Sequence, residues 1–446
     1  MSEFLRDLGD CFEGIIPSCV ATVDACGVPN VSYLSQVYRV DDDHVALSNQ
    51  FFSKTAANVR ATGRAAVVVV SGRTGRQHLL QLVYEASLSE GEVFDRMAAQ
   101  LLAISSQHGL AEAMKLRSAD LYRVVGCRKV VGPTPIDEGL AEPVAEGEHL
   151  AMAARIAAGI SAQSDAEAML DCALEGLART FGFTHAMVLM LDDDGDRLVT
   201  LGSFGYETGG AGAEVKLGDG AIGIAAQTLR PVRLSELSRS RRFAEAVGVA
   251  ADIDKTRTIP LPGLAEPNSQ LAAPMIIRGR AAGVLFVESP DRFRFVPEDE
   301  NALALIGAQL AASLRLAELE ARESASPSGG APLIQLQGAG FRVKYFAHDD
   351  SLFVDDVYLI KGVPGRLLLH FLQIFVETGR RDFTNREIRL EADLRLPGLK
   401  DNLETRLILL RRRLEEKQAP VRLSRPARGQ IRLEIDGAPH LEIVPA

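Results

Sequence analysis

The chain of 446 residues contains no tryptophan, and only 6% of it is aromatic. Cysteine and histidine are also scarce, with five and eight residues. No two cysteines have the close spacing of a zinc or iron–sulfur motif, and no two histidines lie four residues apart. We therefore expect no dedicated metal site, and we expect the thiols to be small buried residues in a reducing compartment. A redox-active thiol, or a cluster assembled in space, is the alternative, because four of the five cysteines lie in the first domain.

Long apolar segments are missing as well. No uninterrupted apolar run approaches the roughly 20 residues that a helix needs to cross a bilayer. Residues 1–7 lack the basic and apolar segments of a signal peptide. The sequence therefore predicts a cytoplasmic protein without a membrane partner.

The length predicts about three domains. Two segments have the composition of linkers: residues 132–147 are rich in proline, glycine and glutamate, and residues 324–330 contain only serine, alanine, proline and glycine. They divide the chain into domains over residues 1–132, 148–323 and 333–446. Each domain mixes helical and strand patterns, so we predict a multidomain α+β protein.

The last domain carries a series of local signals. Thr384 and Glu387 have the spacing of a capping box, and Gly379 is a candidate helix C-cap. In chain order, the patterns predict a strand pair over 350–359, a helix over 364–377, a second helix after Thr384, a basic third helix over 400–417, and a hairpin over 421–433 with arginines at its tip.

This order resembles the winged-helix output domains of bacterial two-component response regulators, most specifically at residues 407–414, Leu-Ile-Leu-Leu-Arg-Arg-Arg-Leu. Residues 331–446 carry a net charge of +3, whereas the first 330 residues carry −13, which suits contact with nucleic acid. A protein-binding winged helix with a solvated arginine face is the alternative. The resemblance implies DNA binding through base-facing Asn402, Thr405 and Arg406 and phosphate-facing Arg411, Arg412, Arg425 and Arg428.

The first domain contains a run of short strands, which predicts a small β-barrel. The strands are predicted over 18–24, 30–40, 44–49, 65–70 and 75–86. After the third of them, residues 48–59 bring hydroxyl groups, Lys54 and the start of a helix near Ser53 to one place. An ammonium group beside the N–H groups of a helix start predicts a phosphate-binding site.

Residues 10–132 resemble the pyridoxamine 5′-phosphate oxidase-like family of FMN-binding split barrels, on residues 21–29, 48–59 and 119–124. The resemblance implies that FMN is bound between the two protomers of a homodimer. Other members of the family bind haem, a deazaflavin or nothing. By this resemblance Ser53, Lys54 and Thr55 hold the phosphate, and the flavin is lined by Tyr33, Leu34, Ser35, Ser48 and Asn49 and approached by Gln81.

The middle domain is predicted to begin and end with helices, over 148–163 and 299–322, which we expect to pair across a dimer axis. It resembles a GAF domain over nearly its full length, at Gly218, Gly220, Gly223, 271–274, 283–288 and 303–316. The glycines do not open a strand–helix–strand unit, so no dinucleotide site is predicted. The resemblance implies an α/β/α sheet domain with a pocket for a small molecule that the sequence does not identify. Arg241, Arg242 and Phe243 are candidates to face that pocket.

Together these patterns predict a one-component transcriptional regulator. A flavin-type barrel and a GAF domain would sense redox state or a small molecule, and the winged helix would bind DNA. Because residues 324–330 have a flexible composition, sequestration of the winged helix by the sensor domains is favoured over a rigid twist passed along helix 299–322. A flavin-dependent oxidoreductase with regulatory domains is the alternative, and an interaction scaffold is a third possibility. The sequence predicts no catalytic residue and leaves enzyme activity open.

Overall fold

The computed structural model describes residues 5–14, 16–50, 54–106, 115–131, 148–192, 194–238, 259–323, 340–391, 394, 402–427 and 429–445. Three units follow one another along the chain. We call residues 5–131 the first unit, residues 148–323 the middle unit and residues 340–445 the C-terminal unit.

The first unit is built on one seven-stranded sheet in the order β2-β1-β5-β6-β7-β4-β3. The two edge strands, β2 and β3, are separated by only two residues in the chain, so the sheet must curl to bring its edges together. Its elements are β1 (Ser18–Val23), β2 (Pro29–Leu34), β3 (Val37–Arg39), β4 (His44–Asn49), α1 (Lys54–Thr62), β5 (Arg64–Val70), β6 (Gln77–Leu88), α2 (Glu92–Ser106) and β7 (Ser118–Lys129).

The single strand predicted over 30–40 is two strands in the structure. The chain turns at Ser35 and Gln36, because the backbone N–H of Gln36 donates to Ser48 Oγ at 3.1 Å and the N–H of Ser48 donates to the Gln36 carbonyl at 3.1 Å. This break places β2 and β3 at opposite edges of the curled sheet. Inside the curl, Val20, Val67 and Leu80 form a core with the 3₁₀ turn over Leu5–Phe12.

The middle unit is a six-stranded antiparallel sheet, in the order β10-β9-β8-β13-β12-β11, with helices on both faces. Helices α3, α4 and α6 cover one face. Helix α5 covers the other face, together with α2 of the first unit. Its elements are α3 (Glu148–Ser161), α4 (Ala166–Gly176), a π-helical turn (Leu177–Phe181), β8 (His185–Leu191), β9 (Arg197–Phe204), β10 (Glu214–Lys216), α5 (Gly220–Thr228), β11 (Val232–Leu234), β12 (Ser269–Ile277), β13 (Arg280–Ser289) and α6 (Pro297–Glu323).

Helix α6 is the longest described helix. Over Pro297–Ala321 it is long and apolar enough, by length and composition alone, to cross a membrane. The sequence analysis did not anticipate this, because polar residues interrupt the apolar positions. In the most apolar stretch of this helix, 56% of the residues are buried inside the protein.

The C-terminal unit has two small sheets, in the orders β16-β15-β14-β20 and β17-β19-β18, with three helices between them. Most of its described elements agree closely with the prediction: the capping box at Thr384 and Glu387 is present, and Gly379 ends α7 with a φ of 73°. Its elements are β14 (Phe341–Phe346), β15 (Ser351–Val354), β16 (Val357–Ile360), α7 (Val363–Thr378), β17 (Asp382–Thr384), α8 (Asn385–Leu390), α9 (Leu403–Glu416), β18 (Val421–Ser424), β19 (Gln430–Ile435) and β20 (Pro439–Val444).

The C-terminal unit packs directly on the middle unit. One continuous hydrophobic cluster includes residues of α3, α4 and α6 together with residues of α7 and α9. Helix α9 lies against β9, α4 and α6. The surface of α9 that the sequence assigns to DNA is therefore close to the middle unit.

Candidate functional site

The start of α1 is the first candidate site. Thr55 is 4% exposed, and its hydroxyl lies 3.0 Å from Ser32 Oγ and accepts a hydrogen bond from Asn30 Nδ2 at 3.0 Å. Asn58, one turn further on, donates to Thr22 Oγ1 at 3.1 Å. These bonds hold α1 against β1 and β2, and they leave Lys54 exposed at the helix start.

Most of the residues predicted to line a flavin are buried or form hydrogen bonds to other protein groups near β2 and β4. Ser35 Oγ donates to Gln50 Oε1 at 3.0 Å, and Asn49 Nδ2 donates to Asp120 Oδ2 at 3.2 Å. Ser48 and Leu34 are buried, and Ser48 Oγ is occupied by the Gln36 amide. The structure thus brings these residues together, but most of them support the site and do not face open space.

Two of the predicted barrel residues stand apart from this group. Gln81 is exposed on β6, where it aligns with Ala66 and Gly126, and two strands separate β6 from β2. Its amide lies over Gly126, where an added Cβ would be 2.8 Å from Gln81 Oε1. Ser53 lies outside the described residues.

An exposed apolar face, which was not predicted from the sequence, lies beside the start of α1. Along β2 the usual pattern is inverted: Asn30 and Ser32 point toward α1, whereas Val31 and Tyr33 point outward and are 66% and 74% exposed. Val23 on β1 is also exposed. The period-two alternation along residues 29–34 is the signal that could have revealed this face.

The arginines predicted to face DNA phosphates are engaged with one helix of the middle unit. Arg411 Nη1 lies 2.5 Å from Glu167 Oε2 and Arg412 Nη2 lies 2.6 Å from Asp171 Oδ1. Arg425 Nη1, from the hairpin, lies 3.0 Å from Asp165 Oδ1. The three carboxylates belong to α4 and its N-cap residue, which is Asp165.

Burial raises the pKa of Glu167, while Arg411 and Arg412 act in the opposite direction. The carboxylate of Glu167 therefore depends on these arginines for compensation of its lost hydration. Arg425 also contacts Glu404 within its own unit at 2.7 Å. Arg428, the remaining predicted phosphate contact, lies outside the described residues.

The three residues predicted to face bases also face the middle unit. Asn402, Thr405 and Arg406 line a cavity of about 630 Å³ whose other wall includes Arg197 and Leu201 of β9. Arg406 is 6% exposed, and burial lowers the pKa of its guanidinium to about 10. The predicted base-facing and phosphate-facing sets therefore lie on one side of the C-terminal unit.

A second cavity, of about 500 Å³, lies in the middle unit between the start of α5 and residues 261–267. Glu288 in its wall is 2% exposed. Its Oε1 accepts from the backbone N–H of Leu264 at 2.8 Å, and its Oε2 accepts from Gln270 Nε2 at 3.1 Å. The sequence analysis did not single out Glu288, because a lone glutamate at a strand end carries no local signal. Arg241, Arg242 and Phe243 lie outside the described residues.

Among the described residues, no group of three or more histidine, cysteine, aspartate and glutamate side chains is arranged to hold a metal ion. No nucleophile paired with a base emerges from these described residues.

Comparison with known families agrees with this architecture. Residues 8–125 match the family described as pyridoxamine 5′-phosphate oxidase, and residues 165–314 match the GAF domain. The first and middle units therefore contain a domain of each kind, as the resemblances predicted. No curated protein matches the chain.

Three solved structures illustrate the similarity. The GAF domain of a phosphoenolpyruvate-protein phosphotransferase from Acinetobacter is 22% identical, over 39% of this chain and 97% of that chain, with a TM-score of 0.31. An FMN-binding protein from Syntrophomonas wolfei subsp. wolfei is 21% identical, over 28% and 88%, with a TM-score of 0.25. A free methionine-R-sulfoxide reductase from Neisseria meningitidis, in complex with its substrate, is 17% identical, over 41% and 98%, with a TM-score of 0.31.

Proposed function

We propose that this protein is a homodimeric one-component transcriptional regulator that senses a flavin-linked redox signal or a small molecule and binds DNA through its C-terminal unit. The observation that carries the proposal is the placement of Arg411, Arg412 and Arg425. These side chains come from a helix and from a hairpin, and all three converge on a single row of carboxylates. Clustered guanidinium groups on one surface are typical of proteins that contact the phosphate backbone of DNA.

The element order of the C-terminal unit supports a winged helix. Helix α9 follows α7 and α8, and the hairpin β18–β19 comes directly after it. In a winged helix the third helix enters the major groove and the hairpin contacts the adjacent backbone. Asn402, Thr405 and Arg406 would then face base edges, and Arg411, Arg412, Arg425 and Arg428 would face phosphates.

The start of α1 supports FMN as the cofactor of the first unit. Lys54 is exposed there, and the first N–H groups of a helix have no partner within the helix, so both fit a doubly charged phosphate. The exposed apolar face at Val31 and Tyr33 fits one side of a planar ring. When bound, FMN would supply reversible electron uptake, and Lys54 with α1 would hold its phosphate.

Exposed apolar surfaces support a homodimer. The face at Val31 and Tyr33 is the first of them, and a second lies along α6 at Leu305, Leu316 and Leu319. The two α6 positions 305 and 319 are two heptads apart, which places them on one stripe of the helix. A dimer would present two winged helices, as palindromic DNA sites require.

The flavin assignment is tested by titrating FMN and riboflavin separately into the full-length protein and following flavin absorbance. Lys54→Met should weaken FMN binding about tenfold or more, because the variant cannot form a charge-assisted hydrogen bond to the phosphate. Riboflavin binding should be unchanged, since riboflavin lacks the phosphate, and the matched exposed substitution Lys129→Met should alter neither. Failure of the unsubstituted protein to bind FMN would remove the flavin from the proposal. Steady turnover of reduced nicotinamide would instead favour the flavin-dependent oxidoreductase.

The DNA assignment is tested with a labelled, mixed-sequence 30-base-pair duplex, by fluorescence anisotropy in a salt series from about 50 to 200 mM. Affinity should fall steeply with salt. Combining Arg411→Ala with Arg412→Ala should lower the slope of log affinity against log salt by about two, because each of the two arginines is assigned to one phosphate. Arg342→Ala is the control, because Arg342 lies on β14 and pairs with Asp356 in the other sheet. An equal slope in all three proteins would contradict the assigned surface.

A further inference from the structure

We propose that the acidic face of α4 acts as an internal substitute for DNA phosphates, so that the described arrangement is the closed form of the regulator. This inference rests on the proposed DNA binding and adds how it is controlled. We call Asp165, Glu167 and Asp171 the α4 acidic face. The partner that this surface fits is the arginine set of α9 and of the β18–β19 hairpin.

The chemistry of the contact matches that of the proposed DNA contact. Each member of the α4 acidic face offers carboxylate oxygens to a guanidinium group, as a phosphate would. Glu167 contacts two of the arginines, since Arg412 Nε also lies 3.7 Å from its Oε1. The side chains of Glu167 and Arg412 are 13% and 15% exposed, so this part of the contact is shielded from water and salt.

Further contacts fix the same orientation. The backbone N–H of Ala211 donates to Glu416 Oε1 at 3.0 Å, and Lys361 Nζ lies 3.0 Å from Glu214. Gly202 on β9 lies directly beneath the guanidinium of Arg412, where a Cβ would collide with it. Because Asn402, Thr405 and Arg406 line the cavity on this side, a DNA duplex and the middle unit compete for one surface.

Competition between DNA and the α4 acidic face should weaken the apparent affinity for DNA by a predictable amount. If only a fraction of molecules is open, the apparent dissociation constant is the intrinsic constant divided by that fraction. Removing the carboxylates should therefore raise DNA affinity without any change in the DNA-binding residues themselves.

The test compares DNA affinity and its salt slope in the full-length protein and in the triple variant Asp165→Asn, Glu167→Gln, Asp171→Asn. Asparagine still caps a helix, so α4 keeps its N-cap. We expect binding about tenfold tighter, because a larger fraction of the molecules is open, and no loss of slope, because the bound state keeps every phosphate contact. Glu175→Gln is the control, since Glu175 lies on the same helix and pairs with Arg179. It should leave DNA binding unchanged.

A second variant keeps every charge. Gly202→Ala should displace the end of Arg412 from Asp171 and Glu167 by steric contact alone, and it too should tighten DNA binding. If the unsubstituted protein and both variants bind DNA with the same affinity and slope, the closed-form proposal is wrong while the regulator assignment stands. If none of the proteins binds the duplex at about 50 mM salt, DNA binding itself is wrong, and the inference falls with it.

Discussion

Glu318, in the last turns of α6, accepts a hydrogen bond from the backbone N–H of Glu404 at 2.9 Å, in the first turn of α9. Glu318 also pairs with Arg389 of α8. At the other end of α6, Glu300 pairs with Arg96 of the first unit and with Arg233. One helix therefore has a carboxylate clamp at each end, roughly 27 Å apart at 1.5 Å per residue, and it physically joins all three units.

Replacing Glu318 should loosen the C-terminal unit. Its carboxylate is almost fully buried and the Arg389 side chain is mostly buried, so Glu318→Gln removes a charged partner from a guanidinium that is shielded from water. We expect the free energy of unfolding to fall by about 2 kcal/mol, as for removal of a hydrogen bond to a charged group. Chemical denaturation of the full-length protein measures this. Glu377→Gln, an exposed position in the C-terminal unit, should change it by less than about 0.5 kcal/mol, and an equal effect at both positions would contradict the clamp.

The clamp between the first and middle units gives a second prediction. Glu13 pairs with Arg233, and Ser235 donates a hydrogen bond to Glu13 Oε2 at 2.6 Å. Glu13→Gln should lower the free energy of unfolding by about 2 kcal/mol, because Arg233 loses one of the two carboxylate partners, Glu13 and Glu300, that it has among the described residues. It should also increase hydrogen exchange at α2, which packs on the middle unit.

The matched control for this clamp is Glu90→Gln, an exposed carboxylate of the first unit. If hydrogen exchange at α2 stays the same in the Glu13 variant while stability falls, the pair would stabilise the fold without holding the two units together.

The three helices of the C-terminal unit, the strand pair β15–β16 and the hairpin β18–β19 were predictable because their signals are local, whereas β14, β17 and β20 were not predicted. The capping box at Thr384 and Glu387 depends on residues three apart, and the left-handed turn at Gly379 depends on one residue. A single sequence contains all the information that such features need. The same holds for the helix start near Lys54.

The contacts that define the candidate sites are not local. Arg411 and Glu167 are 244 residues apart in the chain, and Thr55 meets Asn30 across 25 residues. Local patterns place such residues on a helix or strand, but only tertiary packing decides which of them meet. Thr55 illustrates the consequence: its hydroxyl was predicted to hold a phosphate, and in the structure it is bonded to Asn30 and Ser32.

The exposed face of β2 gives a prediction about assembly. Val31→Glu combined with Tyr33→Glu should shift the proposed dimer to a monomer, because two charges would be buried against the partner protomer. Sedimentation velocity over a concentration series measures the change. Val28→Glu, an exposed position in the turn before β2, should leave the dimer intact. A dimer that persists in the double variant would point to the α6 stripe at Leu316 and Leu319 as the interface.

Arg406 gives a prediction with a defined pH dependence. Burial lowers the pKa of its guanidinium to about 10, so the folded state holds the charge at a cost that the unfolded state does not have. Arg406→Met should remove that cost and raise the free energy of unfolding by about 1 to 3 kcal/mol at neutral pH. It should also weaken DNA binding, since Arg406 is assigned to base contact, so stability and function would change in opposite directions.

The sign of the pH effect follows from proton linkage. Below pH 10 the folded and unfolded states both carry the proton on Arg406, and the cost is fully present. As pH rises through about 10, the folded state releases its proton while the unfolded state keeps it, so the original protein gains stability relative to the variant. The difference in unfolding free energy between the two proteins should therefore shrink as the pH rises from about 10 to about 11, which denaturation at each pH measures. Arg422→Met, an exposed arginine on β18, should show no such trend, and a difference that stays constant across this range would mean that Arg406 is not desolvated in the folded protein.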